Sequence, residues 1–353
     1  MTQVLDPRAT PVPDTHITRT SPASIAGTGA FLLATIALAL APFWGSDSLQ
    51  LTLIEILYYL SLAQMWNLLA GYAGLISVGQ QAFVGIAAYT LFVLAERNGV
   101  DPFLSIVLAG LFVAAVSIPV ALFAFRLKGG YFAIGTWVIA EVFRLATLEI
   151  DSLGAGNVQS FTVKNTFAGY DLETRKDLIY WFALALAVGA TLILVAVLRS
   201  RLGLALRAVR DSDIGAQGLG VRVTRTKLIV WVVAAGWTGA TGALIHLQSS
   251  TVTNRDAFSV LTWTALVIFI VVIGGVGSTI GPIIGVVVYW FITERFEDSD
   301  TWRFIILGTV AAVMAVVARG GINGLLQKIR PFELFPVQRR LQVRQHPDGG
   351  GAS

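Results

Sequence analysis

The chain has 353 residues, of which 55% are hydrophobic and only 13% charged, with a mean hydropathy of +0.73. That is too little polar surface to cover a water-soluble globule of this size, so the chain belongs in lipid. The absence of cysteine excludes disulfides and thiol chemistry, and three histidines argue against a Cys/His metal site. The net charge of +4 says little until the basic residues are placed.

Residues 1–24 carry four prolines, several threonines and balanced charge, the composition of a disordered tail. The first apolar segment starts too late for a signal peptide. Apolar blocks then recur at 25–43, 50–69, 80–96, 103–125, 131–150, 178–199, 228–247, 258–273, 279–293 and 302–318. Each is close to the length that crosses the hydrocarbon core as a helix, so the fold expected is all-α and polytopic, with about ten spans. The membrane region runs over 25–330, and a polar, loose tail follows over 331–353.

The connections fix an orientation. The segment 199–227 holds Arg199, Arg201, Arg207, Arg210, Arg222, Arg225 and Lys227 against Asp211 and Asp213, which places it in the cytoplasm. By alternation the turn with Arg126 and Lys128 also lies inside, as do Lys328, Arg330, Arg339, Arg340 and Arg344. The acidic turn from Glu294 to Asp300 and the loop 151–177 lie outside. Both termini are then expected in the cytoplasm.

Glycines punctuate two junctions. One holds Gly71, Gly74, Gly79 and Gly85, and the other Gly274, Gly275, Gly277, Gly281, Pro282 and Gly285. Interrupted helices at membrane depth are tolerated only where protein covers them or where they line a polar cavity. The two stretches are therefore either broken helices on a translocation path or sites of close small-residue packing.

Ionisable groups inside spans are expensive and need a reason. Glu141 and Arg144 are three apart on one helix face, either as a structural ion pair or as part of a polar route. Glu55 falls near the outer end of its span, able to reach the interface or a neighbouring subunit. His246 falls near the outer end of its helix and is expected at the interface. Asn67, Gln80, Gln81 and Thr136 can either hydrogen-bond a passing solute or satisfy backbone freed by the glycines. No phosphate-binding loop, HExxH, GxSxG or carboxylate cluster occurs, so an enzyme has no residues to stand on.

The cytoplasmic stretch SRLGLALRAVRDSDIGAQGLGVRVTRTK begins as a basic amphipathic helix, with Leu202, Leu206 and Val209 on one face. Such a helix can lie on anionic lipid or dock on a soluble subunit. The small surface of Gly215, Gly218 and Gly220 favours docking.

This stretch resembles the coupling loop of the LivM type of branched-chain amino acid importer permease. YAGLISVGQQAFVGIAAY, RLKGGYFAIGTWVIAEVFRLA, DSLGAGN and GGVGSTIGPIIG follow in the family's order, so the resemblance covers roughly residues 55–330. It implies an ATP-binding-cassette importer with a second, LivH-like permease, two cytoplasmic ATPases and a periplasmic or lipid-anchored solute-binding protein. ATP would be used by the ATPases, with no cofactor on this chain, and the surroundings would be membrane lipid rather than nucleic acid. The resemblance assigns Arg207, Ala208, Arg210, Asp213, Ala216, Leu219 and Gly220 to the ATPase contact, and puts Glu141 and Arg144 at the family's acidic and basic positions. Two departures stand out. Gly215 and Gln217 replace the more usual alanine and glutamate, and GAGNVQS replaces the commoner GGPNG type.

The function expected is import of a small polar solute by alternating access, foremost a branched-chain or other hydrophobic amino acid. Urea, amides and aromatic acids are alternatives on the same scaffold. An ion-coupled secondary transporter using Glu55 or Glu141 is the alternative of another class.

Overall fold

The computed structural model describes residues 15–18, 22–153, 159–161, 167, 169–296, 300–318, 320–329, 335 and 340–343. It is a polytopic all-α bundle. In chain order the helices are α1 (Pro22–Leu40), α2 (Asp47–Asn67), α3 (Gln80–Phe92), α4 (Pro102–Ala124), α5 (Gly130–Leu148), α6 (Leu172–Arg199) and α7 (Arg201–Asp211). They continue as α8 (Asp213–Gly218), α9 (Val223–Ser249), α10 (Asn254–Ala257), α11 (Leu266–Gly274), α12 (Gly281–Arg295), α13 (Asp300–Val317) and α14 (Gly321–Ile329). π-helical turns extend α2 through Leu68–Tyr72 and α3 through Val93–Arg97, and another, Leu261–Ala265, leads into α11.

Each apolar block of the sequence is a helix, but the number of full spans differs from the ten expected. Among the described residues seven helices are long and apolar enough to cross a membrane, or eight if the pair α13 and α14, bent by 49°, counts as one. The blocks at 80–96 and 279–293 fall short. α12 has 15 residues, which at 1.5 Å per residue reaches about 22 Å against a hydrocarbon core of about 30 Å. α3 has 13 residues before its π turn. Both follow a Gly-rich stretch of irregular chain, 73–79 and 275–280, that takes up part of the membrane depth.

Helix starts are set by polar caps. Ser46 Oγ accepts from Leu49 N at the start of α2, and Asp101 Oδ1 accepts from Phe103 N and Leu104 N at the start of α4. Asp171 caps α6, and its carboxyl is held below the ordinary range by the hydrogen bonds from Thr174.

Between the ends, α2 separates two apolar clusters. Leu57, Met65 and Leu68 face the one built with α3, α4, α6 and α9, while Leu62, Ala63 and Trp66 face the one built with α11 and α12. α4 and α9 approach closely because a Cβ on Gly110 would lie 2.9 Å from Gly236 O, and one on Gly236 2.9 Å from Ala114 Cβ. By contrast α1 and α5 are peripheral, each with 17% of its apolar window buried against 72% in α2.

Two short antiparallel pairings tie distant segments. β2 (Gln159–Ser160) pairs with β3 (Thr251–Val252), pinning part of the loop 151–177 to the end of α9. β1 (Thr15–Thr18) pairs with β4 (Arg340–Val343), so these parts of the two tails are strands, where the sequence suggests loose chain. Their residue types, threonine and isoleucine in one and leucine and valine in the other, suit extended backbone. Apart from 22–24, where α1 begins, and 335, the rest of both tails lies outside the described residues, as do 154–158 of the GAGNVQS stretch and 297–299 of the acidic turn.

Candidate functional site

Irregular backbone inside a membrane needs a partner for every N–H and C=O, because no water reaches it from the lipid. Here side chains on the last turns of α2 supply four of them. Trp66 Nε1 donates to Ser77 O at 2.9 Å in the first break. Asn67 clamps the second, with Nδ2 donating to Ser278 O and Oδ1 accepting from Gly277 N, both at 2.8 Å. Gln64 Nε2 reaches Thr279 O at 3.3 Å.

Other elements complete each clamp. Thr136 Oγ1, on α5, accepts from Val78 N at 3.0 Å and donates to Ala133 O. Ser278 Oγ accepts from Ile280 N and Gly281 N at the start of α12, and Asn323 Nδ2 of α14 donates to it at 2.8 Å. The two breaks also touch one another. A Cβ on Gly71 would lie 2.5 Å from Gly277 N and 2.4 Å from Asn67 Oδ1. Gly274 and Gly281 are as close, and Gly79 packs on the Thr136 carbonyl. Gly74, Gly275 and Gly277 all have positive φ, and Gly275 lies against Gly320 O. Pro282, in the first turn of α12, occupies a position where a missing N–H costs nothing.

The polar residues that offered either a solute contact or a partner for freed backbone make hydrogen bonds within the fold. Asn67, Gln80, Gln81 and Thr136 are all buried. Gln80 Nε2 donates to Leu62 O, and Gln81 Oε1 accepts from Thr264 Oγ1. Among the polar atoms of these four side chains only Gln80 Oε1 is buried without a hydrogen bond. Gln64, Trp66, Ser77, Ser278 and Asn323 belong to the same network; Ser77 and Ser278 lie within the Gly-rich stretches, while Gln64, Trp66 and Asn323 carry no local mark.

Glu141 and Arg144 pair on α5. Arg144 Nε lies 2.9 Å from both carboxylate oxygens, and Nη1 donates to Asn254 Oδ1 at 3.0 Å. Asn254 Nδ2 in turn donates to Arg144 O and Thr147 Oγ1, so the pair anchors α5 to α10. Its outer side is open, with the Glu141 side chain 47% exposed. Tyr131, Ile134, Val138, Val142 and Leu145 follow the same helical face and are exposed too.

Glu55 has a partner within the chain, since Tyr289 OH donates to its Oε1 at 2.8 Å. His246 is not at an interface but fully buried. Its Nδ1 lies 2.9 Å from Gly242 O, its ring lies beside Trp263, and its Nε2 faces Asp256 Oδ2 at 3.8 Å. The chain after α9 folds back over it, held by Trp263 Nε1 donating to Asp256 O.

The basic segment forms a two-helix corner. Ser200 and Ser212 cap α7 and α8. Val209, Ala216 and Val223 make a small apolar core, with Ala208 against it, so Ala216 is withdrawn from the surface. Asp213 binds Lys227 Nζ through both oxygens, at 2.9 and 2.7 Å, tying the corner to α9. Gly220 turns the chain at φ +80°. Arg207 and Arg210 remain exposed, and Ile214 and Leu219 stand out with 84% and 80% exposure.

Arg210 joins the corner to both breaks. A Cβ on Gly74 would lie 3.8 Å from Arg210 Cα, and one on Gly277 would lie 3.0 Å from Arg210 Nη1. An apolar bundle with two clamped breaks in contact, touched by a basic corner outside the spans, is the architecture of a polytopic membrane protein. The chain belongs to the branched-chain amino acid transport system / permease component family, whose model matches residues 48–318. It is 30% identical to the high-affinity branched-chain amino acid transport system permease protein LivM of Salmonella typhimurium, over 85% of this chain and 75% of that protein. The LivM protein of Escherichia coli is 29% identical over the same shares. A probable branched-chain amino acid transport permease protein LivH of Methanocaldococcus jannaschii is 24% identical over 68% of this chain and 78% of its own length. No solved structure matches the chain.

Proposed function

We propose that this chain is one of two permease subunits of an ATP-binding-cassette importer, and that its solute is a branched-chain or other hydrophobic amino acid. The observation that carries the reading is Arg210, which sits at once on the α7–α8 corner and against Gly74 and Gly277 of the two breaks. A push on the corner reaches both breaks without an intervening flexible segment. One of the importer's two ATPase subunits docks on the corner through Ile214 and Leu219, whose exposed apolar side chains suit a protein partner, and through the charges of Arg207 and Arg210. ATP binding closes the ATPases, the corner moves, and the paired breaks shift as a unit between outward and inward arrangements.

The second permease packs along α5. An ion pair open on one side cannot face hydrocarbon without a large cost, so the Glu141 and Arg144 face belongs against protein or in a polar path between the two permeases. A solute-binding protein outside the membrane delivers the solute, and the bundle provides path and lever while the ATPases supply the free energy. In proteoliposomes carrying the chain with its ATPase, permease and binding-protein partners, L-leucine uptake should require ATP inside. Uptake by the purified chain alone, driven by a proton gradient, would replace this reading with an ion-coupled transporter.

A further inference from the structure

A cavity of about 470 Å³ opens beside the α7–α8 corner, walled by the first break, the α4–α5 turn, the corner itself and the first turn of α9. Its size falls within the range of roughly 300–1,000 Å³ typical of small-molecule sites. Charges of both signs line it. Lys227 and Asp213 are committed to one another, whereas Lys128, Arg210 and Asp211 form no ion pair with any described residue. The apolar wall includes Phe125, Phe132 and Val209. Both phenylalanines pack edge-on against the buried Trp231, at 5.7 and 6.0 Å between ring centroids, so that wall is fixed.

Two available cations, one available carboxylate and an aromatic wall are the complement of an α-amino acid with an apolar side chain. Its carboxylate meets Lys128 and Arg210, its ammonium meets Asp211, and its side chain lies on the phenylalanines. A phosphate or lipid headgroup without an ammonium fits less well, because it brings its charge against Asp211. We propose that this cavity is a cytoplasm-facing binding site for a hydrophobic α-amino acid. The choice of ligand and the sidedness rest on the importer reading above, but binding itself requires no partner subunit. The cavity lies beside the Arg210–Gly74 contact, between Asp213 and Ile214 of the corner and Leu75 and Ile76 of the first break, so an occupant props those two surfaces apart. Accumulated solute then slows its own import.

The test is binding of radiolabelled L-leucine to the full chain in lipid nanodiscs. Lys128→Gln and Asp211→Asn, on opposite walls, should each weaken a leucine-binding component about tenfold, the effect of losing one charge-assisted contact of about 1.4 kcal/mol. Leucinamide, which lacks the carboxylate, and 4-methylpentanoate, which lacks the ammonium, should compete at least tenfold less well than leucine. Unchanged leucine binding in both variants overturns the proposal. So does displacement of leucine by inorganic phosphate that tightens in Asp211→Asn, which marks an anion site instead. Because the two variants alter different walls, misfolding of one leaves the other to decide. In the reconstituted complex, leucine on the ATPase side should lower ATP-driven import by the unaltered chain and not by Lys128→Gln. If import fails in every case, the importer reading falls while the nanodisc result still decides this site.

Discussion

Gly71→Ala is the sharpest perturbation of the contact between the two breaks. Its Cβ would lie 2.5 Å from Gly277 N and 2.7 Å from Gly277 Cα, where ordinary contacts are 3.4–4 Å. Both neighbours are backbone, so no side chain can swing aside and the two breaks must separate by about 0.9 Å. Overpacking of this kind costs about 1–3 kcal/mol. The same methyl displaces Asn67 Oδ1, which lies 2.4 Å away, from its bond to Gly277 N. Leaving that N–H buried and unpaired adds about 1–3 kcal/mol. The sum is about 2–6 kcal/mol, large for one methyl group. Gly29→Ala is the control, since a Cβ there meets nothing within 4 Å and alanine is the better helix former. Thermal inactivation of the detergent-purified chain, followed by size-exclusion of the surviving fold, reads the difference. Gly71→Ala should lose the folded peak well below the temperature of Gly29→Ala. Equal survival of the two variants would mean that the breaks do not touch through Gly71 and Gly277.

Arg210→Glu should leave insertion and thermal survival near the original while abolishing solute-stimulated ATP hydrolysis in the complex, and unchanged stimulation would remove Arg210 from the coupling path. Thr136→Val keeps the shape but leaves Val78 N–H without its acceptor, at a cost of about 1–3 kcal/mol; Thr136→Ser should recover most of it in the same survival assay. Exchanging the charges, Glu141→Arg with Arg144→Glu, should recover only part of the function lost in either single reversal. It restores the ion pair but not the bond from Arg144 Nη1 to Asn254, and full recovery would mean that the pair acts alone.

The sequence reads well at the level of segments because lipid imposes one strong rule, and every apolar block found by it is a helix. It reads less well where helices stop inside the membrane. The blocks at 80–96 and 279–293 look like full spans, yet the glycines before them hold irregular chain that shortens both. Asn67 and Thr136 stand out as polar groups in apolar surroundings, but which backbone they satisfy depends on contacts across 210 and 58 residues. Local hydropathy places His246 at an interface, since nothing in its own helix tells that the following turn folds over it. Arg210 illustrates the same limit from the other side. Its charge and its place in an amphipathic helix mark a docking surface, while its seat against Gly74 and Gly277 arises only when the two breaks come together. Asn323 gives no local sign at all, because its role comes from α14 folding back onto Ser278.

The central claim is that the corner moves the breaks. Because the chain has no cysteine, two introduced ones can be spin-labelled alone: Ile76→Cys on the first break and Leu172→Cys at the far end of α6, both exposed positions. In the assembled complex the distance between the labels should change by about 2 Å or more when the ATPases bind ATP, and the change should vanish in Arg210→Glu. A break that moves equally in both, or in neither, would contradict the account.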